Sequence, residues 1–308
     1  MAIGASNVIL SNADTAGFVP EIWSDEIFAA KKANLVLAGL VRRLNVKGKK
    51  GNAVNLPVPA RGAASAKAVN TAVNTIIESG NDAQILLNQH WEYSRLIEDV
   101  VTIQANPSLR KFYTDDAGYA LADAVDDYLF TAFRDVNGGD GSASWTGAVL
   151  AGDGSTLFVD AAGAANSTVI TDAGIRRVIQ TIDDNNMPMN GRFMVLPPVG
   201  RRHMMGIARF TEQAFSGDGK PILNGKLGMV YGISVHVSTN CPTPSAATSA
   251  RIGVIAHEDA VVLAEVSGPR VQTQYKQEYL ATLLTADTIF GYGEVYDTGG
   301  VALAMPNA

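Results

Sequence analysis

The strongest hydrophobic pattern in the chain lies between residues 107 and 137. Leu109, Phe112, Ala117, Ala120, Leu121, Ala124, Tyr128, Leu129 and Phe133 recur at helical spacing. Asn106 is placed to cap this helix, Pro107 stands at its first position, and Asn137-Gly138-Gly139 ends it. Thirty-odd residues at 1.5 Å each make a rod of roughly 45 Å. That is long for a compact globule and suits a spine carrying a flat, extended subunit. Asp115, Asp116, Asp123, Asp126 and Asp127 are read as its solvated face.

Before the spine the pattern is of another kind. Residues 1–20 are small and polar without a period, and read as an arm. A helix is expected from Ile22 to Leu44, weakened by Asn34 and Gly39. A basic turn, Lys47-Gly48-Lys49-Lys50-Gly51, leads into the alternating run Val54, Leu56, Val58, a strand signal. Pro57 and Pro59 place that strand at an edge. Residues 61–74 hold almost nothing to bury, and alternation returns at Ile85, Leu87, Gln89, Trp91 and Tyr93. The shape implied is a long two-stranded excursion with a polar tip. Its return strand of about 15 residues would reach roughly 50 Å. A hairpin of that kind is marginal in water and needs a neighbour to lie on.

After the spine, residues 138–170 are rich in Gly, Ala, Ser and Asp and read as a surface insertion separating two lobes. Residues 171–240 read as a compact α+β unit. A helix starts at Thr171 or Asp172 with the stripe Ile175, Val178, Ile179, Ile182. A turn at Asn190-Gly191 precedes the buried strand Phe193 to Leu196, Pro197-Pro198 stops it, and a second helix covers Val199 to Phe210. A Gly-rich loop and the strand Ile233, Val235, Val237 follow. From Arg251 onward strands are expected at Ile252 to Ile255, Val261 to Val266, Val271 to Tyr279, Ile289 to Tyr296 and about Val301 to Ala304. The domain division expected is 1–45, 46–105, 106–170, 171–250 and 251–308. No internal repeat or heptad pattern is present.

Composition changes this picture in two ways. Of 308 residues 47% are hydrophobic and 18% charged, below the roughly 25% of ordinary soluble domains. A low charge density fits a surface covered by partners. The formal net charge is −6, with no long basic block. A protein that gripped nucleic acid directly would more often carry a basic patch. Cys241 is the single cysteine, so no internal disulfide forms, as expected of a chain made in a reducing cytoplasm. No export signal or membrane-spanning run is seen, and no membrane association is expected.

The common catalytic arrangements are missed narrowly or widely. Gly219 and Gly225-Lys226 are one residue too far apart for a phosphate-binding loop, and Leu227 stands where Ser or Thr is needed. Asp135 to Asp140 resembles the start of a calcium loop but has Asp140 where Gly is required, and is read as a helix-ending turn. His90, His203, His236 and His257 are not paired at metal-ligand spacing, and His257-Glu258-Asp259 is read as a solvated turn. No catalytic residue, metal site or cofactor is assigned. Arg201-Arg202-His203 is the densest basic spot of the second half, suited to an inter-subunit salt bridge at least as well as to phosphate. Arg61, Lys67, Trp91, Arg201 and Arg202 are the candidate interface residues.

The order of these elements resembles the HK97-like fold of tailed-phage major capsid proteins. Three passages carry the resemblance: Leu96-Ile97-Glu98-Asp99 with Asn106-Pro107-Ser108-Leu109 and Ala120 to Leu129; Phe193 to Pro198 with Gly225 to Val235; and Gly291-Tyr292-Gly293-Glu294-Val295. The resemblance covers about residues 20 to 305. It implies an α+β chain with an N-terminal arm, a hairpin called the E-loop, a spine helix in a peripheral domain, and an axial domain. It further implies a structural protein and not an enzyme, forming pentamers and hexamers of an icosahedral shell around double-stranded DNA, without sequence-specific binding. A separate scaffolding protein, a portal and possible decoration proteins would be partners. Synthesis in the host cytoplasm and residence in the virion follow. An encapsulin-like compartment shares the fold and is the alternative; a hydrolytic enzyme is a third reading. Lys47, Lys49, Lys50 and Lys67 lie where some members crosslink neighbours, and are read as surface lysines.

Overall fold

The computed structural model of the protein describes residues 35–58, 62–73, 75, 81–100, 109–139, 141, 145, 149–207 and 228–307. The expected arm, the helix cap at Asn106-Pro107, Arg61 and the Gly-rich loop with Gly219 and Gly225-Lys226 fall outside these residues. The architecture is α+β, with two main sheets sharing a core.

The first sheet has six strands: β5 (Leu150–Ala151), β6 (Arg192–Leu196), β7 (Met229–Val230), β8 (Ile233–Val237), β9 (Ala250–His257) and β12 (Gly300–Pro306), in the order β5-β12-β9-β6-β8-β7. Both faces are covered, which is why β6 is apolar from Phe193 to Leu196. Met194, Leu196, Ile255, Val301 and Leu303 face two helices, α2 (Asp172–Asp184) and α3 (Pro198–Met205). Thr171 starts α2 by accepting a 3.0 Å bond from the Gly174 N–H, and Pro198 starts α3 at a position where no N–H is needed. The alternate residues Phe193, Val195, Val254, Ala256 and Ala302 face the far side.

There they meet the spine helix α1 (Leu109–Ala132), about 36 Å long at 1.5 Å per residue. Leu129, Phe130 and Phe133 at its end are buried against the six-stranded sheet. Asn137 and Gly138 then take left-handed backbone, φ 65 and 76, in the turns that follow the helix. Its earlier part, Ala117 and Leu121, lies on a second sheet of four strands. That sheet runs β1 (Arg42–Asn45), β10 (Val261–Lys276), β11 (Ala281–Glu294), β4 (Gln89–Glu98). On its other face sits the hairpin of β2 (Ala53–Val58) and β3 (Asn81–Leu86), through Val54, Leu56 and Ile85 against Val262 and Ala264. At Gly291 this crossing is so close that a Cβ would stand 2.4 Å from the Leu86 carbonyl.

Several expectations are corrected. The described part of the expected 22–44 helix is a 3-10 turn, Leu37–Gly39, followed by β1. Parallel pairing of Arg42 to Asn45 with Val262 to Glu265 overrides local propensity. The return strand of the excursion is not continuous: β3 pairs with β2, whereas β4 pairs with β11, the chain changing sheets at Leu87-Asn88. Residues 138–170 are not merely a surface insertion, since Trp145, Val149, Ala151 and Phe158 are core residues and β5 joins β12. The strands expected at 261–266 and 271–279 are one strand, kinked by irregular pairing between Glu265 and Arg270. Its partner β11 begins at Ala281, eight residues before the expected start.

Asp126 overturns the reading of a uniformly solvated acid face. It is 0% exposed, and its Oδ1 accepts a 2.9 Å bond from the Leu37 N–H. The carboxylate fastens the chain entering the fold to the middle of the spine. Burial pushes it up to about 6, against the Leu37 and Ala38 N–H groups and the nearby Asn240 amide, which favour the ionised form. Between about pH 4 and pH 6 the folded chain therefore holds a proton that the unfolded chain releases, and this group's contribution to stability falls as pH rises through that window. Replacement by Asn keeps an acceptor for Leu37 and removes the titration. Asp126→Asn is expected to raise stability at pH 7 by at most about 3 kcal/mol and to flatten the pH 4–6 slope. Urea unfolding at several pH values measures both, and an unchanged slope would sink the assignment. Phe290, in the core beneath Tyr128, should by contrast cost about 3–5 kcal/mol as Phe290→Ala, at any pH.

Candidate interaction surfaces

The sequence-derived candidates do not converge on one site. Lys67 is exposed in the loop between β2 and β3, and Arg61 lies outside the described residues. Trp91 is on β4, 39% exposed, its ring 5.6 Å from that of Tyr128 on α1. Arg201 and Arg202 are on α3, against the other sheet, with Arg202 Nη2 3.4 Å from His203 Nε2. Lys67, Trp91, Arg201 and Arg202 share only a position at a surface.

Trp91 opens a groove of about 610 Å³ between β4 and α1, walled by Tyr93, Leu121, Ala124 and Tyr128. The aromatic wall continues inward, Tyr128 meeting Phe290 at 5.9 Å and Tyr292 at 5.2 Å. Within the groove Asp123 Oδ1 and Arg134 Nε are buried and unbonded, and burial pushes the Asp123 carboxyl up.

A second surface escaped the sequence reading. Strands β10 and β11 outrun the core, and their joined tip exposes large apolar side chains beside Lys276, Gln277 and Glu278. Tyr275, Tyr279 and Leu280 are exposed there, with Leu96 and Val100 nearby on and after β4. Tyr279 and Leu280 are 63% and 66% exposed. Leu280 also has φ 46, ψ 49, a left-handed conformation that costs an L-residue roughly 1–2 kcal/mol. Its backbone is held by the Asp99 N–H, which donates to the Leu280 carbonyl at 3.1 Å, while Tyr275 Oη donates to Asp99 Oδ2 at 2.8 Å. Behind the tip, Arg270 grips Asp287 with both Nε and Nη2 at 2.7–2.9 Å, and His90 lies 3.4 Å away. The Arg270 bond holds the Asp287 carboxyl below its usual range. The signal for the tip was present as Tyr275-Lys276-Gln277-Glu278-Tyr279-Leu280, but its alternation is interrupted and the exposed faces of its apolar residues are not covered by the described residues.

The remaining chemistry is structural. Donor atoms of His257, Glu258 and Asp259 lie within 4.8 Å of one another. However, His257 is buried and not solvated as expected, its Nδ1 accepts from the Asp259 N–H, and Asp259 pairs with Arg42 at 3.0 Å. The arrangement is a hydrogen-bonded turn tying β9 to β1. Burial and the Asp126 charge push the Cys241 thiol up, so it holds little thiolate at neutral pH. Among the described residues no helix is long and apolar enough to cross a membrane.

Comparison with known proteins sets these surfaces in context. A family model described as phage capsid protein matches residues 96–304. No curated protein matches the chain. A chain of Mycobacterium phage Che8 is 21% identical, with TM-score 0.72, covering 93% of this chain and 97% of its own. The capsid of Helicobacter pylori bacteriophage KHP30 gives 13% identity and TM-score 0.73 over 99% and 100%. The capsid of cyanophage P-SCSP1u gives 15% and 0.72 over 98% and 100%. The shared architecture is the HK97-like fold.

An exposed leucine in a strained conformation has no purpose inside one subunit. Leu280→Gly is expected to leave the stability of the isolated subunit unchanged or raise it by up to about 1 kcal/mol. The same change should weaken self-association, read by analytical ultracentrifugation. A clear loss of folding stability would mean instead that Leu280 packs within its own subunit.

Proposed function

The chain belongs to the phage capsid protein family, and we propose that it closes into an icosahedral shell of pentamers and hexamers around double-stranded DNA. The observation that carries this reading is the ribbon tip. Tyr275, Tyr279 and Leu280 are exposed at the end of the β10–β11 ribbon, tied there by strand pairing and by the bonds of Asp99 to Tyr275 and Leu280. Apolar surface held out in this way is stabilised only when another molecule covers it. The β2–β3 hairpin supports the same reading, since residues 62–73 of its loop, with Lys67, Val69 and Val73, are exposed. In this reading residues 1–45 act as an arm, 46–105 as the E-loop and its flanking strands, 106–170 as the peripheral domain with the spine, 171–250 as the axial domain, and 251–308 as closing strands shared by the two. Trp91, Lys67, Arg61, Arg201 and Arg202 are assigned to contacts between copies. Scaffolding, portal and decoration proteins are the further partners, and synthesis in the host cytoplasm precedes assembly. The net charge of −6 suits a container that holds DNA without gripping it.

Many weak contacts, summed over arm, hairpin and tip, can close a shell without any one of them being strong. Negative-stain electron microscopy of the purified chain, alone and co-expressed with a scaffold, is the test. Closed shells or uniform rings of five and six are expected. A chain that stays monomeric in both cases would remove the reading. Deleting residues 1–20 is expected to leave a folded subunit that no longer forms normal shells; normal particles from it would free the arm of that role.

A further inference from the structure

Two charged features of the subunit stand out among its described residues. The first is the turn between β1 and β2. Lys47, Lys49 and Lys50 are all exposed there, and their side chains enter no ion pair among the described residues. The second is a groove of about 610 Å³ along the outer side of β3. Asp82 on β3 forms one wall, Glu294 at the end of β11 the other, and Asp135 and Asp297 close one end. No Lys, Arg or His lines it.

The groove is an uncomfortable place for its own acids. Glu294 Oε2 is buried and has no hydrogen-bond partner. Burial, then the charges of Asp297 and Asp135, push the Glu294 carboxyl up. Asp297 is not free to turn away, because its Oδ1 accepts from the Gly138 N–H at 2.7 Å and holds the turn after the spine. The wall beside them is also open: β3 pairs with β2 on one side, and its other edge has no strand partner among the described residues. Such an edge presents unpaired N–H and C=O groups.

The features are complementary in sign and lie at opposite ends of the same short piece of sheet. Asn45, where the basic turn begins, is opposite Glu265, whereas Glu294 is opposite Val261. We propose that the Lys47–Lys50 turn of one copy docks in the Asp82–Glu294 groove of the next, joining subunits head to tail. The proposal rests on the shell-forming reading and adds the polarity of the contact. A heterologous contact of this kind places one patch of each copy on a different patch of its neighbour, so repetition makes rings. It would give Glu294 a cation that the described lining of the groove does not supply. It would also be weakened by salt, as contacts made at a surface are.

Wild-type particles made from mixed light and heavy isotope-labelled subunits are treated with a zero-length carbodiimide, which joins a Lys amine to a carboxylate only in direct contact. Mixed-label peptides linking Lys47, Lys49 or Lys50 to Asp82 or Glu294 are expected. Charge reversal supplies the second arm. Lys47, Lys49 and Lys50→Glu, or Asp82→Lys, should each raise the subunit concentration needed for assembly by roughly tenfold. The two reversals together in one chain should restore assembly. Each variant is first confirmed as folded by circular dichroism. Glu294→Gln provides a readout that a purely structural role would not: a higher melting temperature for the isolated subunit together with weaker association. Particles that form normally from the reversed turn, or lysines that link only elsewhere, would overturn the contact and leave the shell-forming reading standing. Failure of the double reversal to restore assembly would likewise count against the pairing.

Discussion

The antiparallel pairing of β10 with β11 is the interaction on which the other parts depend. Sixteen and fourteen residues long, the two strands pair from the core to the tip, interrupted only by the irregularity between Glu265 and Arg270. Backbone pairing does not require burial, so the ribbon can run past the point where side chains find cover. At its root Val261, Leu263 and Phe290 are in the main core, and Val262 and Ala264 lie under the hairpin. Further out Ala286 is still covered by the spine, and beyond it Tyr275 and Tyr279 are not. The spine lies along this ribbon, β1 and β4 extend it sideways, and the β2–β3 hairpin rests on its back. Remove the pairing and the hairpin, β1, β4 and the first half of the spine lose the surface they lie on.

Legibility in the sequence followed the distance from the core. Strand β6 and helix α2 could be read residue by residue, because Phe193 to Leu196 is apolar on both faces and Thr171 is a side-chain cap. Helix α1 could be read as a helix, but not which of its acids turn inward. Asp126 and Asp127 are neighbours of one type, and only tertiary contact with Leu37 separates them. The segment 35–45 misled because its Leu and Val spacing suits a helix, while a parallel edge on β10 is what stabilises it. The first half of β11, Ala281 to Thr288, alternates poorly. It is a strand because β10 and β4 flank it on both sides, information that no local window contains. Of the candidate surface residues Trp91 was legible as an aromatic on an alternating strand. The tip was not, since an apolar residue without an internal partner looks the same as a core residue when only the sequence is read.

Violations of local rules are concentrated in a few places, and these are informative. Inside the six-stranded sheet the period-two alternation, the helix caps and the packing agree. At the tip an apolar side chain is exposed on a left-handed residue. In the β3 groove a buried carboxylate oxygen lacks a donor and faces two more acids. Both arrangements raise the free energy of the isolated subunit, and neither improves its core. Where sequence and structure disagree with single-subunit physics in this way, the missing term is most economically a second molecule.

That term need not be large at any one place. A shell subunit that bound its neighbours tightly through one patch would trap wrong closures, whereas several marginal contacts let misplaced copies leave. The distribution of chemistry in this chain follows that logic. Apolar cover is needed at the ribbon tip, backbone pairing is open along β3, and opposite charges stand at the two ends of the β1–β10 pair. Apolar contact supplies attraction without choosing an orientation, because burial is non-directional. Charge placed asymmetrically chooses the orientation while adding little affinity, because like-charge encounters are disfavoured. A low overall charge is then no defect in the surface: with few charges present, the basic turn and the acidic groove of the proposed contact would decide which end of a subunit meets which.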